Sequence, residues 1–356
     1  MDHLPLFPSP ENAPRGIGMP VVISSRARLF RNLHNIPFLE QMGKEEQLAV
    51  AESLNRALDQ LADFSGGREL CSPFSKFECA GMLEKRRITP EFAQMRFAGA
   101  MIRLTGNAVE SALINGGDHL VLNNDGTGLV LCLLRERLNT LETELSRHIR
   151  FAFHPKYGYL SPDPSHAGTG LELTVILHLP GLALLDEVKP MLTALYRLGL
   201  KCRGILDTEN KFPGNLYVIS NLSKMGETEE QLTARLEKTV MHIVEEELDA
   251  RNQLLRKMPV KVHDFCYRSI AVLKHARMIS STEAFNALSG LRLAQECKIA
   301  AELIPADLPD WDMLLQGIMP NVVASKLPDP EHATKEQRAF GRAEYLRKAF
   351  ERKEIL

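Results

Sequence analysis

The sequence contains no Cys-x-x-Cys pair. Its cysteines, Cys71, Cys79, Cys132, Cys202, Cys266 and Cys297, are scattered, which argues against a zinc site and leaves reduced thiols as the expectation. It also lacks an excess of positive charge. The 43 Lys and Arg stand against 45 Asp and Glu, a net charge of -2, so the basic stripe of a nucleic-acid protein is missing. Long apolar runs are absent too: the most apolar stretch, Leu173 to Leu185, is too short to span a bilayer and is broken by His178 and Pro180. The start, Met1-Asp2-His3-Leu4-Pro5, has neither the basic nor the apolar region of a signal peptide. These absences together predict a soluble cytoplasmic protein with no nucleic acid, no membrane and no structural metal among its partners.

What is present suits a large folded unit. Apolar residues make up 44% of 356, enough for one large core plus a smaller second one. Residues 1–20 carry Pro5, Pro8, Pro10, Pro14 and Pro20 and read as an irregular lead-in. Leu48, Ala51, Leu54, Leu58 and Leu61 recur at helical spacing within Lys44 to Phe64. Val109 to Leu134 reads as strands, with Asn124-Asp125-Gly126 as a hairpin turn, and Leu134 to His148 as a helix. Strands are expected over Leu171–Leu177 and Leu216–Ser220, with a helix over Ala183–Leu198 between them. A helix begins near Thr228, which forms a capping box with Gln231, and Pro259 closes it. After Pro259 the strand signal disappears. Ser280 and Glu283 mark a further helix start, and a last helix runs from about Thr334. The expected fold class is therefore α+β: a lead-in over 1–20, a mixed domain over 21–258 and an all-helical domain over 259–356.

The chemistry concentrates in Ile23-Ser24-Ser25-Arg26-Ala27-Arg28-Leu29-Phe30-Arg31-Asn32. Arg26 and Arg28 are two apart, so on an extended strand they share one face. Two guanidinium groups side by side suit an anion with many oxygens, above all a polyphosphate. Ser-Ser-Arg-x-Arg-x-x-Arg-Asn followed by Ile36-Pro37-Phe38 resembles the first nucleotide-binding segment of the ATP:guanido phosphotransferases, the phosphagen kinase superfamily. The resemblance continues through Tyr157-Gly158-Tyr159-Leu160, Gly168-Thr169-Gly170-Leu171, His178-Leu179-Pro180, Arg203-Gly204, Gly214-Asn215-Leu216 and Ile219-Ser220-Asn221. Beyond it, Tyr267-Arg268-Ser269, Ala276-Arg277-Met278-Ile279 and Leu291-Arg292-Leu293 resemble the helical extension of one branch, the bacterial protein-arginine kinases.

That resemblance implies an antiparallel sheet flanked by helices and transfer of the γ-phosphoryl group of MgATP to a guanidinium nitrogen. It implies nucleotide contacts from Ser24, Arg26, Arg28 and Arg203. It also exposes what has changed. The family's Asn-Glu-Glu-Asp-His reads Asn115-Gly116-Gly117-Asp118-His119, so both glutamates are glycine. The arginine two residues on is Val121, and the one after Gly-Thr-Gly-Leu is Glu172. The reactive cysteine is Asp163 and the nearby Asn is His166. The Gly-Glu pair after Arg203-Gly204 is Asp207-Thr208, and the histidine near Glu84-Lys85 is Arg86. A positioned general base supplies ~10²–10⁴-fold in rate, and glycine supplies none of it. Asp118, Asp163, Asp207 and Glu209 are the carboxylates available to replace it. Glu172 either repels phosphate, turns away, or pairs with Arg26, Arg28 or Arg203. Asn115-Gly116 is a good turn pair, so this stretch also reads as a plain hairpin. His119 and His178 read as packed histidines.

In the last helix, the family's phosphoarginine-reading Arg-Asp-x-x-Arg-Ala reads Arg338-Ala339-Phe340-Gly341-Arg342-Ala343. Both arginines can meet a phosphoryl group, or form a basic helix face; the Asp is Ala339. Three functional readings follow. The leading one is a protein-arginine-kinase relative that has lost phosphotransfer and serves a binding or regulatory role in protein quality control. The second is an active protein-arginine kinase with a rewired site. The third is a structural dimer without nucleotide contact. MgATP is the cofactor if phosphotransfer survives, and none is expected if it has been lost. The resemblance implies a homodimer, a zinc-finger activator protein and a Clp ATPase as partners.

Overall fold

A sheet with the Arg26-bearing strand near its middle organises the molecule, seen here in a computed structural model that describes residues 14–18, 20–94, 97–206, 211–222 and 226–351. That strand, β1 (Val22–Arg31), is followed by α1 (Lys44–Asp59), β2 (Arg68–Cys71) and two short helices, α2 (Lys76–Glu84) and α3 (Pro90–Ala93). Strands β3 (Met101–Leu104), β4 (Glu110–Ile114) and β5 (Leu120–Thr127) lead into α4 (Leu131–Leu145). A small hairpin, β6 (Phe153–His154) with β7 (Gly158–Tyr159), precedes β8 (Leu171–His178). Then come α5 (Pro180–Leu184), α6 (Val188–Arg197), β9 (Leu200–Gly204), β10 (Leu216–Asn221) and the long α7 (Glu229–Lys257). The rest is helical: α8 (Pro259–His275), α9 (Ser281–Cys297), α10 (Trp311–Gly317), α11 (Pro320–Ala324) and α12 (Lys335–Phe350). No helix among the described residues is long and apolar enough to cross a membrane.

The main sheet is antiparallel, in the order β2-β3-β4-β5-β1-β8-β10-β9. Its two faces divide the labour, because side chains alternate along each strand. Ala27, Leu29, Leu122, Leu173, Val175 and Ile219 point to one side and pack against α1, α4 and α7 in the largest apolar cluster. The opposite face is apolar only at its flanks. On one flank, Phe30, Leu113 and Val121 meet Met82, Ile88 and Phe92 of the α2–α3 segment. On the other, Ile176 and Val218 meet Ile270, Phe285 and Leu288 of the helical region. Between these clusters lies a polar strip, and it holds the arginines.

The expected helix starts are seen. Thr228 and Gln231 cap α7 reciprocally, and Ser280 accepts from the Glu283 amide at the start of α9. Others fail: the stretch expected as strand up to Leu134 turns helical at Leu131, and the helix expected over Ala183–Leu198 is split into α5 and α6. The expected hairpin turn fails as well. Asn124-Asp125-Gly126 is no turn: it lies inside β5, where Asn124 pairs with Ala27 and Glu110 on either side. Two neighbouring strands override a local turn signal. The turn is at Asn115–Asp118 instead, with Asn115 at φ 54° and the Asn115 amide bonded to the His119 carbonyl at 3.0 Å. Of the lead-in, residues 1–13 lie outside the described residues; Arg15 and Ile17 bridge to Thr127 and Leu129.

Candidate functional site

Arg26 and Arg28 do share one face of β1, and both donate to the carbonyl oxygen of Arg86, Arg28 at 3.0 Å. Arg86 takes a left-handed backbone, φ 54°, where its carbonyl turns in towards them. The register places a polar partner opposite each arginine on β5. Asp125 accepts from Arg26 at two atoms, 2.5 and 3.1 Å, and from Arg87 at 2.9 Å. Asn123 accepts from Arg28 Nε at 2.7 Å. Although burial opposes its charge, these arginines hold the Asp125 carboxyl below the usual carboxylate range. Asp125 is the site residue that sequence reasoning missed. The signal was present: Asn123 and Asp125 alternate with the same period of two as Arg28 and Arg26.

Glu172 neither repels nor turns away. It stands opposite Arg28 in the β1–β8 register and pairs with its Nη1 at 3.4 Å, while Lys201 on β9 approaches the other carboxylate oxygen at 3.6 Å. Burial pushes its pKa up, and Arg28 and Lys201 outweigh that, holding it at about 2. Glu172, which stands where the family pattern has an arginine, is thus answered by Arg28 and Lys201. Burial and Arg26 lower the pKa of Arg28, and burial with Arg26 and Arg28 lowers that of Arg86 to about 9. Ser24 lies on the same strand as these arginines and is buried. Arg28, Arg86 and Arg203 line a cleft of about 380 Å³ together with Glu84, Ile88, Ile205, Leu206 and Asn321.

The turn that would carry the family's glutamates is covered. A Cβ built on Gly116 would meet Phe92 Cδ2 of α3 at 2.6 Å. Gly117 sits at φ 122°, and its Cβ would meet Glu91 Cβ at 3.0 Å. Val121 is buried in the apolar cluster that holds Phe30, Leu113 and Phe92. Asp118 is buried and turned to the 160–166 loop, accepting from Asn32 at 2.6 Å, Ser161 at 2.7 Å and His166 Nδ1 at 3.1 Å. The His166 ring stacks on Phe30, centroids 3.6 Å apart. Burial works against its positive charge, and Asp118 outweighs that and raises its pKa. Asp163 caps its own loop by accepting from the Ser165 amide at 2.8 Å. His119 is fully buried: its Nδ1 accepts from the Leu33 amide and its Nε2 donates to the Pro37 carbonyl, both at 3.0 Å. His178 is likewise buried against Ser289. Asp207, Thr208 and Glu209 lie outside the described residues.

Arg342 departs from the expected exposed face of the last helix. It is buried and donates to the carbonyls of Ile318, at 2.8 Å, and Ile279, at 2.9 Å. Arg338 is half-buried. Both act electrostatically on Glu84 of α2, which accepts from the Asn321 amide of α11 at 2.9 Å. Burial pushes Glu84 up to about 7. These arginines therefore face the junction between the helical region and the sheet domain.

Two of the family pattern's nucleotide-clamping positions are altered. One clamping arginine position is sealed in an apolar cluster as Val121, and Glu172 has taken Arg28 as its partner. Among the described residues no group of three or more His, Cys, Asp or Glu is placed to hold a metal.

Comparison with known proteins sets this geometry in context. Residues 49–250 match the family model for the ATP:guanido phosphotransferase C-terminal catalytic domain, and residues 259–355 match that for the protein-arginine kinase McsB C-terminal domain. The chain is 34% identical to a protein-arginine kinase of Halothermothrix orenii over 296 residues, 83% of this chain and 84% of that one. It is 32% identical to that of Pelotomaculum thermopropionicum over 334 residues, covering 93% and 92%. Among solved structures it is similar to lombricine kinase, with a TM-score of 0.58 and 18% identity over 68% of this chain and 69% of that one. The duplicated taurocyamine kinase of Schistosoma mansoni matches with a TM-score of 0.57 and 19% identity, covering 78% and 46%.

Proposed function

This chain belongs to the ATP:guanido phosphotransferase family, in its protein-arginine kinase branch, and we propose that within that branch it has lost phosphotransfer and acts by binding. The observation that carries the reading is Phe92 over Gly116. Where the family pattern has a glutamate, even a Cβ would meet that phenyl ring at 2.6 Å. Guanidinium is a very weak acid, and among the described residues no carboxylate stands at that point to prepare it for attack. The Glu172–Arg28 pair supports the same reading from the nucleotide side.

A role in protein quality control fits a chain that keeps the branch's helical region while losing its chemistry. The partners proposed for it are a second copy of the chain, a zinc-finger activator protein and a Clp ATPase. Light scattering on the full chain, and co-purification with each candidate, test these one at a time.

A second reading rests on the His166–Asp118 pair. An imidazole held by a carboxylate at 3.1 Å is a competent proton acceptor near neutral pH, and could stand in for the missing glutamates. Incubation with MgATP and an arginine-rich protein separates the two. Acid-labile phosphoarginine that disappears in His166→Ala supports the second reading, and its absence from the unmodified protein supports the first.

A further inference from the structure

The chain has a net charge of only -2, but that charge is unevenly spread. Residues 145–162 hold Arg147, Arg150, Lys156 and two histidines, and no Asp or Glu. Phe151, Phe153, Tyr157 and Tyr159 are interleaved with them. Arg147, Arg150 and Lys156 are all exposed, and among the described residues none has a carboxylate in ion-pair range. A basic run alone is a solvated face. This one comes with exposed rings and a recess. Phe153 is 55% exposed and Tyr157 44%, so both present apolar surface to the outside.

The recess has a volume of about 390 Å³ and is lined by His34, Ser146, Ile149, Arg150, Phe151, Phe153 and Tyr159, none of them acidic. Its backbone is tied to the chain that continues β1. The His34 amide donates to the Arg150 carbonyl at 2.9 Å, and the Ala152 amide to the Asn32 carbonyl at 2.7 Å. Phe153 pairs with Tyr159 across β6 and β7, and their rings meet edge to face, centroids 5.3 Å apart. Tyr159 is held in turn by the Arg31 guanidinium, 3.4 Å from its ring centre. The carboxylates that act on Tyr159, Glu142 and Glu229, both pair with the buried Arg31. The surface is therefore positively charged, part aromatic and already ordered before anything binds.

Unpaired cations call for carboxylates, and a ring-lined hollow calls for an apolar side chain. A nucleic acid suits it less: its backbone needs a track of cations, and among the described residues Arg150 is the one Arg or Lys lining the recess. A membrane surface takes rings that protrude, whereas Phe151, Phe153 and Tyr159 line a hollow. We propose that this recess is a docking site for an acidic peptide. An aromatic or large apolar side chain of the peptide sits among Phe151, Phe153 and Tyr159, and its carboxylates meet Arg150 and the flanking Arg147 and Lys156. The site shares no lining residue with the Arg86 cleft, and it stands whether or not phosphotransfer survives.

Fluorescence anisotropy on the full chain, without nucleotide, tests it. The probe is a labelled dodecapeptide alternating Glu and Tyr. A Glu–Ser peptide lacks the anchor, and a Lys–Tyr peptide reverses the charge. The Glu–Tyr peptide is expected to bind about tenfold or more tightly than either, and to weaken as salt rises from about 50 to about 200 mM. Arg150→Glu should weaken it by about tenfold or more, the worth of one charge-assisted contact, and Phe153→Ser by about threefold or more. Both side chains are exposed, and a thermal melt confirms that the variants fold. The ranking of the three peptides on the unmodified chain needs no variant. No Glu–Tyr binding at about millimolar peptide, equal binding of the Lys–Tyr peptide, or a folded Arg150→Glu with unchanged affinity overturns the proposal. Tighter binding of oligothymidylate or of phosphatidylserine vesicles overturns it as well, and makes the surface a nucleic-acid or a membrane site. The assay holds no nucleotide, so its failure removes this site and leaves the phosphotransfer reading to its own test.

Discussion

Phe92 of α3 stands over Gly116 so closely that a Cβ on the glycine would come within 2.6 Å of its ring. A side chain at position 116 and the present place of the Phe92 ring therefore exclude each other. Restoring a glutamate by Gly116→Glu is expected to give no phosphotransfer and to cost about 1–3 kcal/mol of stability, the usual cost of overpacking. Phe92→Ala in the same background should recover part of that cost. Urea unfolding of the two single variants and the double variant measures the coupling. A Gly116→Glu protein as stable as the unmodified one would show that α3 moves aside freely.

Glu172 governs the nucleotide side. A carboxylate about 4 Å from a phosphate oxygen costs roughly 4 kcal/mol at an effective dielectric of 20. Part of this is already offset by Arg28 and Lys201. Glu172→Gln is expected to raise MgATP affinity by about tenfold or more, without restoring phosphotransfer. Calorimetry reads the first and mass spectrometry the second. Val121→Arg offers no such gain: it places a charge among Phe30, Leu113 and Phe92 and is expected to destabilise by about 3 kcal/mol or more.

Glu84 ties the helical region to α2, and its pKa, raised by burial from 4.5 to about 7, makes that tie pH-dependent. The folded chain holds this proton where the unfolded chain has released it. Stability therefore falls as pH rises from about 4.5 to about 7, by an amount on the order of 2–3 kcal/mol across the window. Arg338, Arg342 and Lys85 face the same carboxyl and already moderate the shift. Glu84→Gln is expected to remove this slope and to be the more stable protein at pH 8. Melting temperatures of both proteins at pH 5.5 and 8 give the difference; parallel curves would contradict it.

The two arginines of the last helix should separate cleanly. Arg342 satisfies the buried carbonyls of Ile318 and Ile279, so Arg342→Ala leaves both without a donor and is expected to cost about 2–4 kcal/mol. Arg338→Ala should cost under about 1 kcal/mol, as at most partly exposed sites. Chemical denaturation of the two variants tests this. Equal, small effects would return Arg342 to the exposed face that the sequence suggested.

The sheet strand with its paired arginines was legible because strand periodicity is local: Arg26 and Arg28 had to share a face. The start of α7 was legible for the same reason, since Thr228 and Gln231 are three residues apart. What stayed hidden depends on distant partners. Asp125 looked like a turn until β1 and β4 paired on either side of its strand. Glu172 was an anomaly without a partner until β8 and β9, which carries Lys201, came into one sheet. Nothing near Gly116 in the sequence announces that Phe92 covers it, and Arg86 reads as a loss until its guanidinium is seen beside Arg28 and Arg203.

The central claim is that a phosphotransferase frame here no longer transfers phosphate. The most direct test incubates the purified full chain with MgATP and an arginine-rich protein and searches by mass spectrometry for acid-labile phosphoarginine. An active relative of the branch serves as the positive control. The account predicts none above background from this chain; turnover approaching that of the control would contradict it.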